Sequence, residues 1–130
     1  MQDIRQQIAA VLAKYPTLNH FGFGAHNERK LSAEERQREI ANGQQDLYTK
    51  SDEVAFVIEW LSDVEKTKTI NRKCGSYRLK HVAERTPPGR YISNGSFITA
   101  AIIAGFNVEQ NGPNAWFNMS RKSLKRKEQR

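Results

Sequence analysis

The segment YISNGSFITAAIIAGF, residues 91–106, contains no charged residue in a chain of which 27% of the residues are charged. Between Phe97 and Ala104 the only polar side chain is Thr99. A helix that is apolar on every side is buried on every side. Ser93 or Asn94 suits the start of such a helix and Gly105 suits its end. We therefore predict a buried central helix over residues 94–104, against which the other helices pack.

The size and composition of the chain indicate one domain. A length of 130 residues with 38% apolar residues is enough for one hydrophobic core and too little for two. Residues 1–119 are predicted to form this domain. The remaining segment, residues 120–130, is basic and has no apolar period, so we expect a disordered tail.

The sequence also indicates a cytoplasmic protein that makes no membrane contact. Its longest apolar run, residues 97–106, is about half of the length that a bilayer-spanning helix needs. One cysteine, Cys74, cannot form an intramolecular disulfide, and the first residues lack the pattern of a secretory signal.

Four further segments have helical spacing of apolar residues or helix-start signals, namely residues 2–15, 32–41, 52–65 and 76–85. The second opens with a Ser32–Glu35 capping box and is predicted to end at Asn42–Gly43. Alternating apolar residues on both sides of Asn111–Gly112 predict a short β-hairpin. The predicted fold class is therefore α+β. It is a mainly helical single domain of about five helices, with a C-terminal hairpin and a basic tail.

Charge is distributed unevenly along the chain. Residues 1–65 contain seven basic and eleven acidic residues, a net charge of −4, and residues 66–130 contain fourteen basic and three acidic residues, a net charge of +11. A basic half of this density attracts polyanions over a Debye length of about 8 Å. We predict that it binds DNA or RNA through the phosphates.

The densest candidate segment is KTKTINRKCGSYRLKH, residues 66–81. It combines cations, hydroxyl groups and one aromatic ring, the groups that bind phosphate and stack on bases. In the helix that follows, a spacing of about 100° per residue places Tyr77, Lys80 and His81 away from the apolar face, so we expect them to be exposed. The predicted nucleic-acid-binding residues are Lys66, Lys68, Arg72, Lys73, Ser76, Tyr77, Arg78, Lys80, His81, Arg85, Arg121, Lys122, Lys125, Arg126 and Lys127.

Residues 76–104 resemble a helix-turn-helix motif only superficially. In that motif the second helix enters the major groove and carries polar side chains to the base edges. Residues 94–104 have almost none, and the link between the helices is longer than a turn of about 3–4 residues. Any nucleic-acid contact therefore belongs to the first helix and the segment before it.

Two alternatives remain open at the level of sequence. The acidic N-terminal half, with Phe21 and Phe23 in its loop, suits a regulator or inhibitor that binds a protein of a nucleic-acid machine, and two copies would be able to pack head to tail as a homodimer. Tyr77, His81 and Arg85 recur at four-residue steps and supply the groups for metal-independent RNA cleavage. One helix alone is weak support for an enzyme, so no catalytic residue is assigned.

No cofactor or metal is predicted. His20, His26 and Cys74 lack the spacing of a zinc site. The chain also contains no phosphate-binding glycine loop and no nucleophile elbow.

Overall fold

The computed structural model describes residues 3–129, within which six helices and five short strands follow one another. The helices are α1 (Ile4–Lys14), α2 (Ala33–Thr49), α3 (Ser51–Trp60), α4 (Ser76–Glu84), α5 (Asn94–Ile103) and α6 (Arg121–Glu128). The strands are β1 (Leu18–Asn19), β2 (Gly22–Phe23), β3 (Lys66–Asn71), β4 (Val108–Asn111) and β5 (Asn114–Met119). The predicted α+β class is confirmed. No helix of the described part is both long and apolar enough to cross a membrane.

Helix α5 occupies the centre of the domain. Every residue from Asn94 to Ala101 is buried, and the helix packs against α1, α3 and α4 and against strands β1, β2 and β5. Its last turn is less enclosed, since Ile102 and Ile103 are half-buried. The predicted central helix is confirmed, and its buried part is its first two turns.

A buried carboxylate anchors the start of α5 to α3. Glu53 Oε1 accepts hydrogen bonds from the Ser93 backbone N–H and from the Ser96 hydroxyl, each at 3.0 Å. The Ser93 hydroxyl accepts from the Ser96 backbone N–H and so caps the helix. A negative charge at this end of the helix also complements the helix dipole. These contacts fix the orientation of α5 against α3.

The C-terminal hairpin, β4–β5, forms two strands of a three-stranded antiparallel sheet of order β3–β5–β4, in which β5 is the central strand. Val108 pairs with Phe117, and Asn111 pairs with Asn114 next to the turn. The predicted hairpin is confirmed, but the third strand, β3, was not predicted. The side chains of residues 66–69 are exposed, so their sequence carries no apolar alternation, and pairing with β5 makes this segment a strand.

Helix α2 continues past its predicted end at Asn42–Gly43 and reaches Thr49. Gly43 lies inside the helix. A glycine is needed at this position because a Cβ atom would overlap the side chain of Asn19. On the other side of the β1–β2 turn, a Cβ atom on Gly95 of α5 would overlap the Asn19 carbonyl. Backbone hydrogen bonds of 3.0 Å join His20 N–H to Gly43 O and Gly95 N–H to His20 O. Both glycines therefore serve close packing of the turn, and neither ends a helix.

The predicted disordered tail is wrong for the described residues, because Arg121–Glu128 forms α6. The Ser120 hydroxyl caps the helix, and Leu124 is buried. The Ser123 hydroxyl accepts a hydrogen bond of 3.1 Å from the Glu65 backbone N–H. One buried leucine and two serines thus help to dock a helix that is otherwise mostly basic.

Candidate nucleic-acid interface

Helix α4 lies between two concave features of the surface, a basic groove and an aromatic cleft. Leu79 and Ala83 point into the core, while Tyr77 and His81 lie on one exposed edge and Arg78 on the other. The start of the helix is tied to the sheet, since the Ser76 hydroxyl accepts a hydrogen bond of 3.0 Å from Ala115 N–H. The prediction that Ser76 contacts phosphate is therefore wrong, because its side chain is fully buried.

The first feature is a small basic groove between α4 and α6, with a volume of about 130 Å³. It is lined by Asn71, Lys73, Cys74, Arg78, Arg121, Leu124, Lys125 and Glu128. Two predicted segments that are far apart in sequence thus meet in one place. The volume of the groove is below the range of about 300–1,000 Å³ that is usual for small-molecule pockets.

The cations of the basic groove differ in whether they form an ion pair. Lys73, Arg121 and Lys125 are exposed and form no ion pair within residues 3–129. Arg78 is exposed, but one of its guanidinium nitrogens lies 3.1 Å from Glu128 Oε1. Three unpaired cations and one shared cation therefore face a single acidic group.

Acidic partners occupy several other predicted residues. Arg72 forms a two-point ion pair with Glu109, with N–O distances of 2.6 and 2.7 Å. The hydrogen bonds from Arg72 hold the pKa of the Glu109 carboxyl below its usual value. Arg126 lies 3.9 Å from Glu65. These two cations are exposed, and their charges are balanced by neighbouring carboxylates.

Lys127 is not available for phosphate binding. Its side chain is only 7% exposed, its ammonium group pairs with Asp63, and it lies 4.9 Å from the centre of the Trp60 ring. The prediction for Lys127 is therefore wrong, because the residue packs α6 onto the end of α3. The other predicted cations, Lys66, Lys68, Arg85 and Lys122, are exposed and form no ion pair within the described part of the chain.

Lys80 is also buried, at 4% exposure, which contradicts its predicted position on the surface. Its ammonium nitrogen lies 3.1 Å from Glu84 Oε2, and the ring centres of Tyr77 and Tyr91 are 5.3 and 4.8 Å away. In the structure Lys80 lies next to the buried face of α4, and Tyr91 from the chain that follows the helix covers it. Tyr91, in the segment between α4 and α5, thus shields Lys80 from the solvent.

The second feature is an aromatic cleft of about 620 Å³ on the other edge of α4. It is lined by His20, Phe21, Tyr77, Lys80, His81, Tyr91, Asn94, Pro113 and Asn114. Phe21, Tyr77 and Tyr91 are the exposed large hydrophobic side chains of residues 3–129, and all three line this cleft. The neighbouring Phe23 is buried in the core.

Hydrogen bonds orient His81 at the edge of the cleft. His81 Nδ1 lies 2.7 Å from Glu84 Oε1, and because an ionised carboxylate only accepts, Nδ1 carries the proton and Nε2 is the free ring nitrogen. Burial favours the neutral form of Glu84, but hydrogen bonds from Ile92 N–H, Lys80 and His81 outweigh it and lower its pKa. Glu84 therefore stays ionised and holds both neighbours in place.

The second histidine of the cleft, His20, is neutral at physiological pH. Burial lowers its pKa first, and the nearby Lys50 ammonium lowers it further, with opposing effects from Glu53 and Asp46. Lys50 Nζ lies 3.3 Å from His20 Nε2 and donates to it. His20 thus accepts a hydrogen bond and carries no charge into the cleft.

Sequence reasoning did not predict His20, Tyr91 and Asn94 as site residues. Tyr91 stands in an uncharged segment, where an aromatic residue is expected in the core. Asn94 Nδ2 donates to the carbonyl oxygens of Phe21 and Pro113 and to Asn114 Oδ1, while Asn94 Oδ1 has no partner within residues 3–129. No local pattern could identify this asparagine, because its neighbours come from three distant parts of the chain.

The two features supply charged groups, hydrogen-bonding groups and aromatic rings. Burial raises the pKa of the Cys74 thiol, so the cysteine in the basic groove is a neutral thiol at pH 7. Within residues 3–129 no group of three or more His, Cys, Asp or Glu side chains is placed to hold a metal ion. No protein-family model matches the chain, and no curated protein or solved structure matches it.

Proposed function

We propose that this chain is a small, non-enzymatic nucleic-acid-binding protein whose basic half holds phosphate groups. The observation that carries the proposal is the convergence of Lys73 and Arg78 with Arg121 and Lys125 on the basic groove. Clustered exposed cations from separate segments are the usual electrostatic footprint of a polyanion site.

The pattern of ion pairing supports the same conclusion. Each of the three acidic residues of the basic half, Glu84, Glu109 and Glu128, is paired with a basic side chain. The unpaired cations of this half within residues 3–129 are exposed, and they lie on β3, in the turn after β3, directly after α4 and on α6. Their binding to phosphates would release counterions, so affinity would fall steeply with salt.

The test is the affinity of the wild type and of a K73Q/R121Q/K125Q variant for labelled single-stranded and duplex oligonucleotides, measured by fluorescence anisotropy at about 50 and 200 mM salt. Each lost phosphate contact lowers the slope of log K against log salt by about 0.7–0.9. We therefore expect weaker binding and a slope that is smaller by about 2–3 for the three lost contacts. The substituted side chains are exposed, so the stability of the fold should change by less than about 0.5 kcal/mol.

The matched control is R29Q/K30Q/R38Q, which removes three exposed cations from the acidic half and changes the net charge by the same amount. This variant should bind nearly as the wild type does. If the wild type does not bind at the lower salt concentration, or if both variants lose the same affinity, the basic groove is not a nucleic-acid site. A protein partner for the acidic half then becomes the better proposal.

The position of His81 favours metal-independent RNA cleavage as a second candidate. Glu84 fixes the proton on Nδ1, and this leaves Nε2 as a potential base beside the aromatic cleft. RNA recovered intact from the binding reactions in the presence of EDTA would exclude this activity. Shortened RNA in the same samples would replace the non-enzymatic proposal.

A further inference from the structure

The aromatic cleft gathers the exposed large hydrophobic side chains of the described residues in one place. Tyr77 is 55% exposed, Tyr91 is 60% exposed and Phe21 is 37% exposed, and no other large hydrophobic side chain of the described residues is exposed. Exposed apolar surface gathered in one concave place marks a binding site more often than scattered exposure does. The volume of about 620 Å³ lies within the range of small-ligand pockets.

Each of the three rings contacts a neighbouring side chain and remains exposed. The Tyr77 ring meets the His81 ring edge to face, with centres 4.7 Å apart, and the Phe21 ring meets His26 at 5.4 Å. Tyr91 lies over the buried Lys80 ammonium. Rings fixed in this way lose little side-chain freedom when a flat ligand stacks on them.

The cleft is also lined by a buried polar residue, Asn94. Asn94 is only 7% exposed, and its side-chain nitrogen is occupied by three acceptors. Its oxygen has no donor within residues 3–129. A buried acceptor without a donor is unfavourable, so a ligand whose N–H group reached this oxygen by a small shift of the side chain would gain affinity.

We propose that the aromatic cleft binds an unpaired nucleobase of a single-stranded nucleic acid. The inference rests on the proposed function, since the strand's phosphates would lie on the basic groove. Tyr77 lines the cleft and the next residue, Arg78, lines the groove, so one strand can cross α4 and contact both. A nucleobase supplies flat faces for the rings and N–H groups for Asn94, and bases in a duplex are already stacked and paired.

The decisive variant is Tyr91→Leu, which keeps an apolar cover over Lys80 but removes the aromatic plane. Tyr91→Phe is the matched control, because it keeps the plane. Affinity for a single-stranded oligonucleotide should fall by about 10- to 100-fold in Tyr91→Leu and stay within about twofold in Tyr91→Phe. Affinity for the duplex should be the same in all three proteins.

A second readout reports stacking directly. A single-stranded oligonucleotide carrying 2-aminopurine should lose fluorescence when it binds the wild type and Tyr91→Phe, but not when it binds Tyr91→Leu. If Tyr91→Leu binds and quenches as the wild type does, while K73Q/R121Q/K125Q has lost affinity, the cleft is not a base site and the proposed function stands.

Two further outcomes would also overturn the inference. The absence of binding to any oligonucleotide would remove it together with the proposed function. Adenosine monophosphate that binds the wild type as tightly as the oligonucleotide does would identify a free nucleotide, and not a strand, as the occupant.

Discussion

The ammonium group of Lys80 lies between the rings of Tyr77 and Tyr91 and 3.1 Å from Glu84. At this position a cation neutralises a half-buried carboxylate and supports the wall of the aromatic cleft. Removing one partner of a buried ion pair is costly because the remaining charge keeps its desolvation penalty. The residue therefore acts in the folded structure and not as a direct phosphate contact.

Lys80→Gln should lower the free energy of unfolding by about 2–4 kcal/mol at pH 7, whereas the exposed Lys125→Gln should change it by less than about 0.5 kcal/mol. The Glu84 pKa in the folded protein lies below its ordinary value of 4.5, so its contribution to stability is complete above that value and is lost as the pH falls through the folded pKa. The effect of Lys80→Gln should therefore shrink at acid pH. Urea unfolding at pH 7 and at about pH 3 measures both effects, and a pH-independent difference would contradict the ion-pair explanation.

At the scale of elements, α6 depends on few contacts. Leu124 is its buried apolar side chain, and Ser123 and Lys127 join it to Glu65 and Trp60. Two of the groove's unpaired cations, Arg121 and Lys125, are on this helix. Docking of α6 therefore couples stability of the fold to the shape of the basic groove.

Leu124→Ala should lower the free energy of unfolding by about 2–4 kcal/mol and weaken nucleic-acid binding, because truncation of a buried leucine leaves a cavity and loosens the helix. Lys122→Ala, an exposed change on the same helix, should leave stability within about 0.5 kcal/mol of the wild type. Urea unfolding and amide hydrogen exchange of residues 121–128 measure the two effects. Equal stability of Leu124→Ala and the wild type would mean that α6 does not pack on the domain.

At the scale of the whole molecule, we expect the positions of the charges to affect nucleic-acid binding more than the net charge does. The chain carries a net charge of +7, but the basic groove also contains Glu128, which pairs with Arg78. Under the proposed function, the Glu128 carboxylate repels the phosphates and occupies the Arg78 guanidinium. Loss of this one negative charge should therefore affect binding more than loss of a negative charge elsewhere.

Glu128→Gln should raise the affinity for oligonucleotides several-fold at low salt, since it frees Arg78 and removes repulsion within a Debye length. Glu59→Gln, an exposed change on α3, gives the same net charge and should have a much smaller effect. Anisotropy titrations of both variants at two salt concentrations compare them. Equal gains from the two changes would show that only the total charge attracts the nucleic acid.

Patterns within one segment predicted much of the fold. The apolar run of residues 97–104 specified a central helix, because a helix without a polar side has no stable place at the surface. The Ser32–Glu35 capping box marked the start of α2, and its two hydrogen bonds, of 2.9 and 3.1 Å, are present. The C-terminal hairpin followed from alternation around a turn. Each of these features depends on residues that are close in sequence.

The tertiary structure decided what depends on distant residues. Gly43 lies within α2, where Asn19 packs against it, and α6 packs on the domain through contacts with Trp60 and Glu65. The charge of the C-terminal half indicated polyanion binding from the sequence alone. Ion pairs and contacts between distant segments determine which cations remain unpaired and which three rings share a cleft. The physical reason is that the burial of a residue depends on its neighbours in the folded structure and not on the residue itself.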